Sequence, residues 1–306
     1  MQFPKITIVT VSFNSRDYIE ECIKSVVEQG YPALEYIIVD GGSTDGTLNI
    51  INKYSDKVSV LITEADTGPA EALNKGFAVS TGEIMGWLNS DDCLHHNALF
   101  AIAEIFNSVP SANWIMGFPT WYSADGVCVN EIPYPRSKFY HSPAYINDNL
   151  HAKFARWSKW RFALGDFSSI QQESTFWRRT LWVKAGRFIH QNTIAFDLEL
   201  WTRFFYYDKL YTAMVLIAGF RMHGNQISIN QKALYQTEAE KFIKTFKQKS
   251  ALREKAYRLV LSGAAKLLKS FYYYDIPVLK KIYPYLLNLP PYIFYNSNKH
   301  TFFIRS

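Results

Sequence analysis

The chain of 306 residues is poor in cysteine, with Cys22, Cys93 and Cys128 far apart. That spacing fits neither a disulfide framework nor a zinc site, and it points to a reducing compartment, the cytoplasm. No window reaches about 18 uninterrupted apolar residues, so no membrane-spanning helix is expected. The opening "MQFPKITIVTVSF" has no charged stretch followed by a long apolar run and a small-residue cleavage site, so it does not read as a secretory signal. Nothing repeats at a fixed period. Gly41, Gly42 and Gly46 do not fit G-x-G-x-x-G, and no phosphate-loop lysine follows them.

Apolar residues are plentiful at 48%, enough for a sizeable core, and aromatics reach 16%. The charge is uneven. Residues 231–306 hold 14 Lys or Arg against 4 Asp or Glu, a net +10 that leaves −4 on residues 1–230 out of the total of +6. A basic tail on a slightly acidic body suits an anionic partner, or is simply a solvated helical face.

The first hundred residues alternate two patterns. "ITIVTV" (6–11), "YIIVD" (36–40), "VSVLIT" (58–63) and "EIMGWL" (83–88) are short apolar runs suited to strands covered on both faces. Between them lie helix patterns. Tyr18, Ile19, Cys22, Ile23, Val26 and Val27 form an amphipathic stripe that Asn14 or Ser15 can cap and Gly30 ends. "TLNIINKY" follows the second run, and "PAEALNKGFAVS" has Pro69 at its start. Helices between buried strands imply an α/β fold with a mainly parallel sheet, and ligands of such sheets sit at the carboxyl ends of the strands. Ser12–Asn14, Asp40–Ser43 and Asn89–Asp92 all fall there. Further on, "ALFAIAEIF" and "AFDLELWTRFFYY" read as helices and "NWIMGF" as a strand, while 119–170 reads as irregular loops around a site.

"GEIMGWLNSDDCLHH" (82–96) runs a core strand straight into Asp91 and Asp92. An isolated acid pair is usually a solvated turn or a helix cap. At a strand end beside two other polar clusters it suits a hard divalent cation shared with phosphate oxygens. His95 and His96 read as surface helix residues.

In order, "VTVSFNSRDYIEECIKSVVEQGYPALEYIIVDGGSTDGT" and "DTGPAEALNKGFAVSTGEIMGWLNSDD" resemble the family 2 glycosyltransferases of GT-A fold, bacterial WcaA-like type. A weaker set runs from "QQESTFWRR" through "FDLELW" to "FRMH", so the resemblance covers about 5–230. It implies an inverting, metal-dependent transfer of sugar from a nucleotide-diphosphate donor, a UDP-sugar foremost. Val11, Ser12, Phe13 and Asn14 match the turn at the base, with Val11 and Phe13 where many members carry Thr and Tyr. Asp40 matches the acid that holds the base, and Asp66 a loop beside the nucleotide. Ser90 and Asp91 fall in the acid motif, with Asp92 as direct ligand of Mn²⁺ or Mg²⁺ and His223 near the metal or diphosphate. Asp197 matches the catalytic base, although Phe196 stands where members usually have Glu; Glu199 is the fallback. Gln172, Glu173 and Trp177 are candidates for sugar or acceptor contact, Trp177 as an aromatic platform. The absence of Q-x-x-R-W, carried by processive polymerising members, implies one sugar per encounter.

These readings divide the chain into a catalytic domain (1–230, its nucleotide half 1–95 and acceptor half 96–230) and a helical, basic extension (231–306). The extension mixes lysines with aromatics at helical spacing, as an interfacial helix on the inner face of a membrane would, and "PYLLNLPPYIFY" could add an apolar wedge. Packing on the catalytic domain or dimer contact is the alternative. A lipid-linked or other glycan acceptor fits either reading, and no nucleic-acid partner is expected. Two other functions stay open: a nucleotide-sugar binding protein without transfer, and a nucleotidyltransferase, which "VSFNSRDY" disfavours for lack of glycine.

Overall fold

The computed structural model describes residues 2–126, 157–163, 170–224, 226–249, 288–297 and 299–305. Strand β1 (Ile6–Ser12) is buried along its whole length. Its side chains alternate as a pleated strand requires. Ile6 and Ile8 enter one core layer with α1 (Ile19–Val27) and α4 (Ala98–Ser108), and Val9 and Val11 enter the other with α3 (Pro69–Val79) and α7 (Phe196–Tyr207). Gly76 lets α3 approach closely, since a Cβ there would lie 2.5 Å from Val9 Cγ1.

β1 pairs in parallel with β2 (Leu34–Asp40) and β4 (Ile84–Asn89), and β2 with β3 (Val60–Thr63). The connections run through α1, α2 (Thr47–Asn52) and α3, as the alternating pattern predicts. Register brings Ser12 opposite Asp40 and Val11 opposite Asn89, so the three polar clusters share one edge.

The second half of the sheet is mixed. β7 (Thr175–Arg178) lies antiparallel between β4 and β6 (Trp114–Tyr122), and β6 is parallel to β8 (Tyr211–Arg221). The short β5 (Cys93–Leu94) pairs with β8. Helices α5 (Lys159–Ala163), α6 (Arg179–Lys184), α8 (Ile227–Asn230) and α9 (Lys232–Lys249) complete the order, with β9 (Tyr292–Asn296) and β10 (Thr301–Arg305) at the far edge.

Several expectations change. Asn14 and Ser15 do not cap α1, which begins at Ile19 without a side-chain cap. They bind the β2–α2 turn instead: Asn14 N–H donates to Ser43 Oγ at 2.8 Å and Ser15 N–H to Thr47 Oγ1 at 2.9 Å. His95 lies beyond β5, outside a helix, with its ring held by Thr120 Oγ1 at 2.8 Å and Tyr122 Oη at 3.1 Å; His96 is exposed. Trp177 is no sugar platform. It is fully buried, packed edge-on against Trp87 (centroids 5.5 Å apart) and Trp201 (5.9 Å), with Phe204 at 5.6 Å. Alternation decides this: Thr175 and Trp177 of β7 face the same layer as α7. Aromatic pairs of this kind add about 0.5–1.5 kcal/mol each beyond area burial.

The described parts of the tail join the body. In α9, Ala239, Ile243 and Phe246 are buried against α5 and α7, and Phe246 meets Phe162 (5.6 Å) and Tyr206 (4.7 Å). The apolar stripe expected to meet lipid is therefore spent on the protein in 232–249. Tyr292–Asn296 and Thr301–Arg305 are antiparallel strands and not helix, with Ile293 beside Ala213 of β8. Pro290 and Pro291 keep a helix from running through them into this segment, and "YIFYN" and "TFFIR" are rich in β-branched and aromatic residues, which favours strands. The bulk of the 119–170 loop expectation and all of the basic segment 250–287 lie outside the described residues.

Candidate active site

Asp40, fully buried at the end of β2, holds its own turn. Its Oδ1 accepts from Gly42 N–H (3.1 Å) and Ser43 N–H (2.8 Å), and Oδ2 from Ser43 Oγ (2.6 Å). The turn needs φ = +89° at Gly42, and Gly41 gives room for Asp66, whose Oδ2 would lie 2.8 Å from a Cβ there. Asp66 is itself fixed by Gly68 N–H at 2.9 Å. Beside this corner Val11 is buried, Ser12 Oγ is buried with no partner among the described residues, and Phe13 stands 64% exposed. An exposed aromatic ring over an open strand end suits a stacking partner such as a base.

The end of β4 is tied to β1 by Ser90, through its N–H on Val11 O (3.2 Å) and its Oγ near Ser15 Oγ (2.6 Å). Asp91 and Asp92 then part company. Asp91 keeps some exposure and its Oδ2 meets His223 Nε2 at 2.9 Å. Asp92, expected as the direct metal ligand, is 1% exposed and its Oδ1 accepts the Arg221 N–H at 2.9 Å. The reason is a tight turn, Asp92 N–H to Asn89 O at 3.1 Å, that folds the second acid back under the strand. The outward pair is Asp91 with His223.

Sequence reading passed over Arg221, the buried node beneath this pair. Its Nε donates to Asp91 O (2.7 Å), and Nη2 to Glu21 Oε2 (2.6 Å) and to Cys93 Sγ (3.4 Å). Tyr18 lies against it, 5.4 Å from the guanidinium carbon, and stacks on His223 with centroids 4.8 Å apart. An arginine closing an eleven-residue apolar strand was the available signal.

Gln172 and Glu173 lie under the site and do not line an open cleft. Gln172 Nε2 donates to Trp87 O (2.7 Å) and its Oε1 accepts from Asn89 (3.0 Å), which fixes the end of β4. Glu173 is 2% exposed and its Oε1 has no partner among the described residues. Burial, with the charges of Asp91 and Asp197, pushes its carboxyl up to about 8. Burial, Asp91 and Glu173 push Asp92 well above the usual carboxylate range. Asp197, in the first turn of α7, is raised to about 6, chiefly by burial. It accepts from Leu198 N–H at 2.7 Å and from Tyr235 Oη at 3.2 and 3.3 Å. Glu199, the fallback, is committed to Arg203 at 2.8 Å.

These acids form a cluster with a deficit of positive charge. Its members fit a hard divalent cation, which would relieve that deficit. Among the described residues no group of three or more His, Cys, Asp or Glu is placed to hold a metal ion by itself, so a cation here would need ligands from a bound substrate as well. A cavity of about 300 Å³ opens between Thr67–Glu71 at the start of α3 and Thr193–Phe196 before Asp197, with Ile227 and Glu238 on its far wall.

A mixed sheet whose parallel half gathers polar turns and acids at its carboxyl edge has the architecture of the GT-A fold. The family model "Glycosyl transferase family 2" matches residues 7–159, half of the chain, and the chain belongs to that family. Among curated relatives, a Bacillus subtilis (strain 168) protein named for teichuronic acid biosynthesis, TuaG, is 34% identical over 143 residues, 46% of this chain. That alignment takes in 54% of TuaG, so the chain spans about half the length of that relative. Among solved structures, residues 1–349 of S. aureus TarS in complex with UDP-GlcNAc match with TM-score 0.60 at 18% identity, over 83% of this chain and 70% of that one. The mannosyltransferase PcManGT from Pyrobaculum calidifontis, in complex with GDP-Man and Mn²⁺, matches with TM-score 0.54 at 17% identity, over 88% and 81%. The GT-A expectation holds for the fold.

Proposed function

We propose that the chain transfers a single sugar, with inversion, from a nucleotide-diphosphate sugar to a hydroxyl of a glycan or lipid-linked acceptor, with a UDP-sugar the first donor to test. The observation that carries this is the convergence of Asp40, Asp66, Asp91 and Asp197 on the carboxyl edge of β1, β2 and β4. UDP-GlcNAc on TarS and GDP-Man with Mn²⁺ on PcManGT support a sugar nucleotide and a divalent cation in a like fold.

In this reading Phe13 stacks on the base, and the Asp40 turn and Asp66 hold the nucleoside side. Asp197 takes the acceptor hydroxyl proton as the new C–O bond forms. The bond from the anomeric carbon to the β-phosphate oxygen breaks, and its electron pair leaves with the nucleoside diphosphate. A carboxyl raised to about 6 is ionised for much of the time at neutral pH yet basic enough to accept that proton. Asp91 and His223 would hold Mn²⁺ or Mg²⁺, with Asp92 behind them, and the ion would supply positive charge to the departing diphosphate. The division at 230/231 is proposed only as the limit of the sequence resemblance, since α9 packs on α7.

The test is a panel of nucleotide-sugars incubated with the purified chain in Mn²⁺, with and without chelator. Metal-dependent release of nucleoside diphosphate from one donor is expected. If calorimetry finds no donor bound and no donor is consumed with either metal, the reading is wrong. The exposed lysines of α9, among them Lys241 and Lys244, are proposed to touch anionic lipid, and failure to float with phosphatidylserine vesicles would remove that role.

A further inference from the structure

Helix α9 lies outside the family match, which ends at residue 159, yet two of its side chains reach the segment that carries Asp197. Tyr235 Oη bridges both oxygens of Asp197, at 3.2 Å to Oδ1 and 3.3 Å to Oδ2. Three residues on, and so on the same helix face, Glu238 Oε2 accepts from Thr193 Oγ1 (2.5 Å), Ile194 N–H (2.9 Å) and Ala195 N–H (3.1 Å). Those residues lead directly into α7. Buried Ala239, Ile243 and Phe246 anchor the helix below these contacts.

We propose that Tyr235 is a positioning residue for Asp197, and that α9 is thereby a working part of the active site. This rests on Asp197 being the base, as proposed above. A phenol held at similar distances from both carboxylate oxygens fixes the plane of the group and leaves lone pairs free for an incoming hydroxyl. It also stabilises the ionised form, because the phenol donates to it. Burial and the charge of Asp197 push the Tyr235 hydroxyl well above its ordinary range, so it stays a donor. Among the described residues, Glu173, next to β7, is a further titratable group that feels the charge of Asp197. Glu238 acts on the backbone, and it also lines the cavity at the start of α3.

The experiment compares full-length Tyr235→Phe, Asp197→Asn and the unaltered chain, with Mn²⁺ and the donor that the chain consumes. Tyr235→Phe is expected to leave donor KM within about twofold. Its acidic limb should move up by as much as about one pH unit, with kcat down up to about tenfold below pH 6 and recovering above pH 8. A 3-fluorotyrosine at 235, a stronger donor of nearly the same shape, should move the limb down. Denaturation gives a readout independent of activity, since Tyr235→Phe should lose more stability between pH 5.5 and 7.5 than the unaltered chain. A limb and a stability profile that stay put in both 235 variants, with Asp197→Asn inactive, would overturn this inference alone. An active Asp197→Asn would overturn the base assignment beneath it.

Discussion

Glu35, at the start of β2, and Glu173, beside the far end of β4, are both buried, 7% and 2% exposed, yet their surroundings are opposite. Burial alone would raise Glu35. Hydrogen bonds from Lys5, Thr7 and Thr81 more than offset that and hold its carboxyl at about 2. Its oxygens accept from Thr7 Oγ1 (2.5 Å) and Thr81 N–H (2.7 Å), with Lys5 Nζ at 2.8 Å. Glu173 has one oxygen without a partner among the described residues, acidic neighbours, and a carboxyl pushed up to about 8. At the amino edge of the sheet the chain supplies every counterpart its acid needs. At the carboxyl edge it gathers acids with fewer counterparts, and such perturbed carboxyls are the kind that mark a candidate functional site.

The comparison is broken most decisively at Asp197. Asp197→Asn should lower transfer about 10²–10⁴-fold with donor affinity kept, measured by product formation and donor calorimetry. Unchanged turnover would return the carboxyl-edge acids to ordinary packing.

The next effect separates the two aspartates after β4. Asp91→Ala and His223→Ala should each weaken Mn²⁺-dependent donor binding by about tenfold or more. Asp92→Ala should instead cost about 1–3 kcal/mol of stability, because it strips the Arg221 N–H of its acceptor. Donor titrations and urea melts of the three variants show whether that division holds.

Glu35→Gln and Glu173→Gln should cross. Glu35 contributes stability that is present above its unfolded value near 4.3 and is lost as pH falls toward 2, so its Gln variant should be weaker by ~2 kcal/mol at pH 7 and level with the parent near pH 2. Glu173 keeps its proton in the folded chain, so it costs stability as pH rises from about 4.3 toward 8. Its Gln variant should gain ~2 kcal/mol at pH 8 and little at pH 4. Parallel profiles would mean that the two edges do not differ. The smallest effect is Gly41→Ala, which forces Asp66 off its rotamer at about 0.5–1.5 kcal/mol and should show mainly as a weaker donor KM.

Much of the fold was legible because burial and periodicity are local. Runs such as Ile6–Val11 and the stripe Ile19–Val26 state their element and their buried faces directly. The meeting of Ser12, Asp40 and Asp91 on one side was legible for a related reason, because parallel strands carry their ends to one edge, whereas Asp66 was singled out by the family resemblance alone. Trp177 was misread because two adjacent aromatics, Phe176 and Trp177, point to opposite faces of a strand, and their order alone does not say which layer each enters. The strands Tyr292–Asn296 and Thr301–Arg305 were hidden by the basic, helical composition before them.

The chain's own order of residues thus determined the alternation of strand and helix, the two apolar layers and the edge where polar groups collect. Only tertiary packing decided that Asp91 faces out while Asp92 turns under, that Arg221 braces them from 129 residues beyond Asp92, and that α9 brings Tyr235 to Asp197. Propensity and pattern act over a few residues. The exposure and protonation of a carboxylate depend on neighbours that folding delivers from anywhere in the chain.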